Sequence, residues 1–218
     1  MVDKAVDSLQ LVARELGPFG GDEGKTRMLR MSRTLAAPIG TVWAAITEFD
    51  RIRQWFMPVA GEAMIGGHYQ LEGNAGGEIL ACEAPRTLRI TWEYGGDVSY
   101  VTVNLAEKGS GATLFDFEHA ADVEPDRWAE YGPGAVGVGW DMGLLGLARH
   151  VELGIATPLE TPEWSASDEA KAFIAGSSEL WAEAAIASGD DPDAAAAAAA
   201  RTTADTPGRS PLRGLTSD

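Results

Sequence analysis

The chain has 218 residues, 45% of them hydrophobic, enough apolar material for one domain with appendages or for two small ones. Its 33 acidic and 17 basic residues give a net charge of −16, the wrong sign for binding nucleic acid or an anionic membrane surface, both of which call for Lys and Arg. The acids crowd toward the C-terminal half: residues 115–193 carry 17 acids and 3 bases. Cys82 is the sole cysteine, so no intrachain disulfide or cysteine-cluster metal site can form, and it reads as a small buried hydrophobe. The opening MVDKAVDSLQ has acids where a signal peptide needs bases and lacks an apolar core. No later stretch approaches a membrane span, so the expectation is a soluble cytoplasmic protein. The excess of Arg over Lys and the abundant Ala fit a GC-rich bacterial genome.

In chain order, Val6, Leu9, Ala13 and Leu16 fall at helical spacing within Asp3 to Leu16, and Gly17-Pro18 stops the run, which predicts a short helix. Phe19 to Lys25 reads as a loop. Thr26 to Ala36 alternates Leu29, Met31 and Leu35 with Arg30, Ser32 and Thr34, as a half-buried strand does. After Ala37-Pro38, a helix carries Val42, Trp43, Ile46 and Phe49 on one face, and Asp50 can cap a second short helix that reaches Trp55 and Phe56.

Beyond Pro58 come five segments of strand length: His68 to Glu72, Gly77 to Glu83, Thr87 to Tyr94, Val98 to Glu107 and Ala112 to His119. Turn residues such as Gly73-Asn74 and Gly95-Gly96-Asp97 join them, which predicts an antiparallel meander. Leu88, Ile90, Trp92 and Tyr94 share one face of their strand, and Thr113, Phe115, Phe117 and His119 share one face of theirs, so the sheet has an aromatic side. Tyr131 to Glu152 follows as a long helix, with Pro133 tolerated in its first turn. Val136, Trp140, Gly143, Leu144, Leu147 and Val151 form its apolar stripe, and Asp141, Arg149 and Glu152 lie elsewhere. Gly139, Gly143 and Gly146 inside it cost about 1.5 to 3 kcal/mol together relative to alanine, so close approach to a facing sheet or to a ligand is expected there.

Further on, Thr161-Pro162-Glu163-Trp164 reads as a turn, and Ser165 or Ser167 caps a helix with Ala170, Phe173, Ile174, Ser177, Trp181 and Ala184 on one side. Asp191-Pro192 opens another helix through the run Ala194 to Ala200, a strong helix former with little to bury. Both helices are expected on the outside of the body or against a second copy. Thr206 to Asp218 is expected to be disordered.

Seven short motifs in order carry a family resemblance. They are R-x-x-x-A-P-x-x-x-V-W-x-x-x-T at Arg33 to Thr47, I-x-x-W-F at Ile52 to Phe56, G-G-x-Y at Gly66 to Tyr69, G-E-I at Gly77 to Ile79, P-R-x-L-x-x-x-W at Pro85 to Trp92, G-x-T-x-x-x-F-x-H at Gly111 to His119, and G-W-x-x-x-L at Gly139 to Leu144. Together they resemble the family named after the activator of Hsp90 ATPase. That family belongs to the START/Bet v 1-like superfamily of polyketide cyclases and lipid-transport proteins. The resemblance covers about Met28 to Leu153 and implies an α+β helix-grip fold, a curved antiparallel sheet around one long helix with an apolar cavity between them. The expected organisation is an N-terminal helix and loop over 1–24, the family domain over 25–155, a helical extension over 156–201 and a tail over 202–218.

The residues expected to line that cavity are Trp55, Phe56, Tyr69, Leu71, Glu78, Trp92, Tyr94, Phe115, Phe117, His119, Trp140 and Leu144, mostly apolar with a few polar groups, as small-molecule sites are. His119 lies on the aromatic face as a potential acid or base, and Glu78, if it shares the face of Leu80 and Cys82, could pair with it or anchor a polar ligand group. His68, His119 and His150 show no metal-ligand spacing, and neither a phosphate loop nor a nucleophile elbow occurs, so no metal, cofactor or catalytic residue is assigned. The leading expectation is a non-enzymatic module that binds a small hydrophobic or aromatic molecule. A cyclase- or hydrolase-like enzyme using the same cavity, and a chaperone-associated interaction protein, are the alternatives. A homodimer or a protein partner on the acidic C-terminal helices is the partner expected besides the small molecule.

Overall fold

A computed structural model describes residues 5–18, 26–159 and 161–205; the loop expected at Phe19 to Lys25 and the tail expected at Thr206 to Asp218 lie outside the described residues. The elements run α1 (Ala5–Leu9), β1 (Ala13–Pro18), β2 (Thr26–Leu35), α2 (Ile39–Thr47), α3 (Phe49–Trp55), β3 (Val59–Gly61), β4 (His68–Leu71), β5 (Gly76–Glu83), β6 (Thr87–Tyr94), β7 (Asp97–Glu107) and β8 (Thr113–Asp122). They continue with α4 (Pro125–Tyr131), α5 (Gly134–Leu153), α6 (Pro162–Ser165), α7 (Asp168–Ser188) and α8 (Pro192–Asp205). The strands form one antiparallel sheet in the order β1-β2-β8-β7-β6-β5-β4-β3. None of the helices among the described residues is long and apolar enough to cross a membrane. Two compact units divide the chain, one drawn from 1–30, 122–143 and 160–218, the other from 31–121 and 144–159. Both β2 and α5 run on from the first unit into the second.

The first unit is organised by α7. Ser167 caps it by accepting a hydrogen bond from the Ala170 N–H at 3.1 Å, Asp168 and Glu169 complement the positive end of its dipole, and Gly189 ends it in the left-handed region at φ 110°. Ala170, Phe173, Ile174, Ser177, Trp181 and Ala184 form its buried face, as their spacing predicted. α1, β1 and α8 pack on α7. The alanine run of α8 buries more than its composition suggested: Ala195 and Ala199 enclose a cluster with Ala182 and Ala185 of α7, methyl against methyl. The turn expected at Thr161 to Trp164 is the single helical turn α6, where Thr161 Oγ1 accepts from the Trp164 N–H at 3.2 Å.

The helix predicted over Asp3 to Leu16 is corrected. Its described part closes at Leu9 through Leu11 N–H to Ser8 C=O and Val12 N–H to Leu9 C=O bonds, and Ala13–Pro18 is a strand. Long-range bonding overrides the local spacing. On β1, Arg14 donates from Nε to Asp141 Oδ2 at 3.1 Å and from Nη2 to Asp141 Oδ1 at 2.8 Å, while Nη1 donates to the Leu9 and Val12 carbonyls. Asp141 was placed off the buried stripe of α5 by its charge, yet it is only 2% exposed. Two further donors make that tolerable, Ser177 Oγ at 2.6 Å and Trp181 Nε1 at 3.0 Å. Burial pushes the Asp141 carboxyl up, and the charge and hydrogen bonds of Arg14, Ser177 and Trp181 pull against it.

Close approach on α5 occurs at a glycine absent from the sequence reading. A Cβ on Gly137 would overlap the indole of Trp181. At Gly146, where close approach was expected, a Cβ would lie 3.1 Å from the Trp55 carbonyl oxygen of α3.

In the second unit, α3 begins at Phe49 with Glu48 in the cap position, so Asp50, expected as the cap, sits in the first turn and pairs with Arg53 at 2.6 Å. Trp55 Nε1 donates to the Ala45 carbonyl at 2.9 Å and ties α3 to α2. The short strand β3 was not anticipated; it pairs Val59 with Leu71 and extends the meander by one edge. From β5 to β8 the strands lie within a few residues of their predicted limits.

Two outcomes test this packing in urea unfolding. Gly137→Ala forces a methyl into the Trp181 ring and should destabilise the fold by about 1–3 kcal/mol, the usual cost of overpacking. Arg14→Met leaves a buried carboxylate unpaired and should cost about 3–5 kcal/mol, part of which the double variant Arg14→Met/Asp141→Asn recovers by removing the charge.

Candidate functional site

Residues directly opposite across a ladder share a face of the sheet, so the register of β6, β7 and β8 decides which predicted side chains meet. Leu88, Val103 and Phe117 form one row across the three strands, and Ile90, Val101 and His119 form the next. Trp92 stands opposite Ser99, and Leu105 opposite Phe115. Phe115 and Phe117 stack at 6.4 Å with an interplanar angle of 11°. The register therefore brings Trp92, Phe115, Phe117 and His119 onto one face, and Tyr94, paired with Asp97, stands half-buried at the end of β6.

A second group joins from β3, β4 and β5. Tyr69, Leu71, Val59 and Ile79 form a buried cluster, against which Phe56, Leu88, Ile90 and Trp92 pack, and the rings of Trp55 and Phe56 lie 5.3 Å apart. Tyr69 donates its hydroxyl to the Thr91 carbonyl at 2.7 Å; burial, then the nearby Glu93 carboxylate, push its pKa up, so it stays a neutral donor. Leu144 is buried on the part of α5 in this unit, whereas Trp140 is half-buried on the part belonging to the first unit.

Glu78 is placed otherwise than expected. It pairs with the exposed His68, on the face opposite its neighbour Ile79, and Ile79 is linked by register through Ile90 and Val101 to His119. A bulge between Ile79 and Ala81 then returns Cys82 to the inner face opposite Leu88. Strict alternation would have kept Glu78 and Cys82 together, and the extra residue separates them. The supposed approach of Glu78 to His119 is not made.

His119 is 5% exposed, and its Nε2 lies 2.8 Å from Ser99 Oγ. Ser99 gives its single proton to the Trp92 carbonyl at 3.0 Å, so Nε2 carries a proton and donates. Burial lowers the His119 pKa from 6.5 to about 4, which makes the ring neutral at physiological pH. His150 Nδ1 is engaged elsewhere, 3.0 Å from the Ile155 carbonyl. Among the described residues no three His, Cys, Asp or Glu side chains converge as a metal site would need.

Arg33, absent from the predicted site, occupies the same alternation as Met31 and Leu35 on the buried side of β2, and is 4% exposed. Its Nη2 donates to Glu152 Oε2 of α5 at 3.1 Å, and Glu152 Oε1 accepts the Ala36 N–H at 3.0 Å. Arg33 Nε is buried without a hydrogen-bond partner. The signal was available, because an arginine at an apolar position of an alternating strand is anomalous.

The profile of the family described as activator of Hsp90 ATPase homolog 1-like protein matches residues 36–152, more than half of the chain. The chain belongs to this family. The crystal structure of CalU16 from Micromonospora echinospora is 33% identical, with a TM-score of 0.64 over 80% of this chain and 98% of that one. Its solution structure gives 0.65 over 82% and 97%. EF2215 from Enterococcus faecalis, a conserved protein of unknown function, shares the fold at 18% identity, with a TM-score of 0.56 over 81% and 94% of the two chains. No match was found among curated proteins. The fold is accordingly the α+β helix-grip fold of this Hsp90-activator-like family, a curved sheet with a long helix and added C-terminal helices. The likeness to CalU16 also extends beyond what 36–152 alone can supply.

The buried neutral histidine sets a pH dependence. The unfolded chain protonates near 6.5 and the folded one near 4, so as pH falls through that window the unfolded state binds the proton first and stability declines. Comparing urea midpoints from pH 7 to pH 4, His119→Gln should flatten the decline by up to about 3 kcal/mol.

Proposed function

We propose that the second unit binds a small hydrophobic or aromatic molecule against the inward face of β5 to β8, without chemical conversion. The observation that carries this reading is the row structure of that face. Leu88, Val103, Phe117, Ile90 and Val101 form contiguous apolar rows, and among the described residues of β5 to β8 the buried polar side chains, Thr91, Ser99, Thr113 and His119, are neutral donors and acceptors. Membership of a family in the polyketide cyclase and lipid-transport superfamily agrees with an apolar guest, and small-molecule sites elsewhere have this mixture of apolar walls and a few placed polar groups.

An enzymatic reading draws less support from the same residues. To act as a nucleophile, Ser99 would have to give its proton to His119, and here the hydrogen bonds run the other way, with the serine proton on the Trp92 carbonyl. A ring whose pKa is about 4 is also a weak base at neutral pH.

Titration with N-phenyl-1-naphthylamine tests the proposal. At about 25 cal/mol per Å², the burial of such a probe supports a dissociation constant between micromolar and millimolar after association costs. The expected result is a saturable rise in probe emission with quenching of tryptophan fluorescence. Probe emission that stays linear, on protein shown by circular dichroism to be folded, rejects the proposal.

A further inference from the structure

We propose that the ligand carries an anionic oxygen group, a carboxylate, phenolate or sulfonate, and that Arg33 receives it. This rests on the apolar-ligand reading above and adds to it the chemical class of the ligand's polar end. Among the described residues of the second unit, Arg33 is the only buried side chain that is charged at neutral pH, since the other buried polar residues there are Thr91, Ser99, Thr113 and the neutral His119. A lone guanidinium on the apolar side of a strand needs compensation for every donor. Glu152 supplies it through one bond, to Nη2, and Nε is left buried with an unused proton.

Arg14 shows what a purely structural arginine of this chain looks like. Its Nε and Nη2 grip both oxygens of Asp141, and its Nη1 is taken by two backbone carbonyls. Arg33 has one bond to a carboxylate whose second oxygen is spent on the Ala36 amide. The planar guanidinium keeps Nε–H as a free donor while Glu152 holds Nη2, and a bond from it to an oxyanion is charge-assisted. Glu152 is the more exposed partner, with a side chain 17% accessible against 3% for Arg33, so the ion pair reaches from the buried face toward solvent. An amphiphilic guest with its ring on the aromatic face and its anionic end at Arg33 would give the Nε proton the acceptor it lacks.

Two fluorescent probes with the same arylaminonaphthalene skeleton separate the ring from the charge: 1-anilinonaphthalene-8-sulfonate, an anion, and neutral N-phenyl-1-naphthylamine. The wild-type protein should bind the sulfonate more tightly. In the neutralised double variant Arg33→Met/Glu152→Gln, which leaves no unpaired buried charge, that preference should fall by roughly tenfold, a change of about 1.4 kcal/mol. Glu152→Gln alone, which keeps Arg33 and removes its counter-charge, should raise the preference. Thermal unfolding of each variant establishes that the comparison is between folded proteins. If both probes bind with a ratio unaltered by either variant, Arg33 is a structural staple and the inference is overturned while apolar binding stands. If neither probe binds the folded wild-type protein, the apolar-ligand reading fails and this inference falls with it.

Discussion

The constraint on which most of the structure turns is the compensation of carboxylates on α5. A helix buried over most of Gly137 to Ala148 has almost no tolerance for charge, and α5 nonetheless carries Asp141 at 2% exposure and the partly covered Glu152. Each captures an arginine from a strand, Arg14 of β1 for Asp141 and Arg33 of β2 for Glu152. The first capture fixes the C-terminal helix as well, because Ser177 and Trp181 of α7 complete the shell around Asp141. α7 is therefore held by polar bonds that penalise any displacement, in addition to its apolar face. The acidic C-terminal segment, expected on the outside of the body or against a second copy, packs through α7 on α1, β1 and α8 within the first unit.

Local periodicity makes much of the second unit legible in the sequence. Thr87 to Tyr94 is a strand with the limits that its alternation indicated, and the faces read for β6 and β8 are those that the ladder aligns. Such elements are specified by neighbours one and two residues apart, which sequence displays directly. β1 was misread because Val6, Leu9, Ala13 and Leu16 satisfy a helical period, and what decides against it is an ion pair between residues 127 positions apart. Glu78 was misjudged because one extra residue at the β5 bulge resets parity, and no residue type announces that reset. Gly137 was passed over among the many glycines of α5, since only the position of Trp181 gives it a purpose.

The candidate site divides in the same way. The aromatic residues of β6 and β8 were legible from alternation, and their meeting on one face follows from the register. Its polar chemistry was not. Histidine and glutamate attract attention because they titrate, yet burial neutralises His119 and parity sends Glu78 to the other face. Arg33 escaped because it stood inside a strand pattern in which the hydrophobic positions drew all the weight.

That contrast bears on how such a site distinguishes one guest from another. An apolar wall ranks ligands weakly, since each additional methylene changes affinity by only about 1–3 kcal/mol and near-isosteres pass. Discrimination comes from buried polar groups that a wrong ligand would leave unpaired. The His119–Ser99–Trp92 chain is internally closed, each proton having an acceptor within the protein, so it gains little from a guest's polar group. Arg33 is open by one donor. Under the proposed reading, selectivity resides where the protein's own hydrogen bonding is incomplete, and among the described residues of the second unit that place is the Arg33 guanidinium on β2.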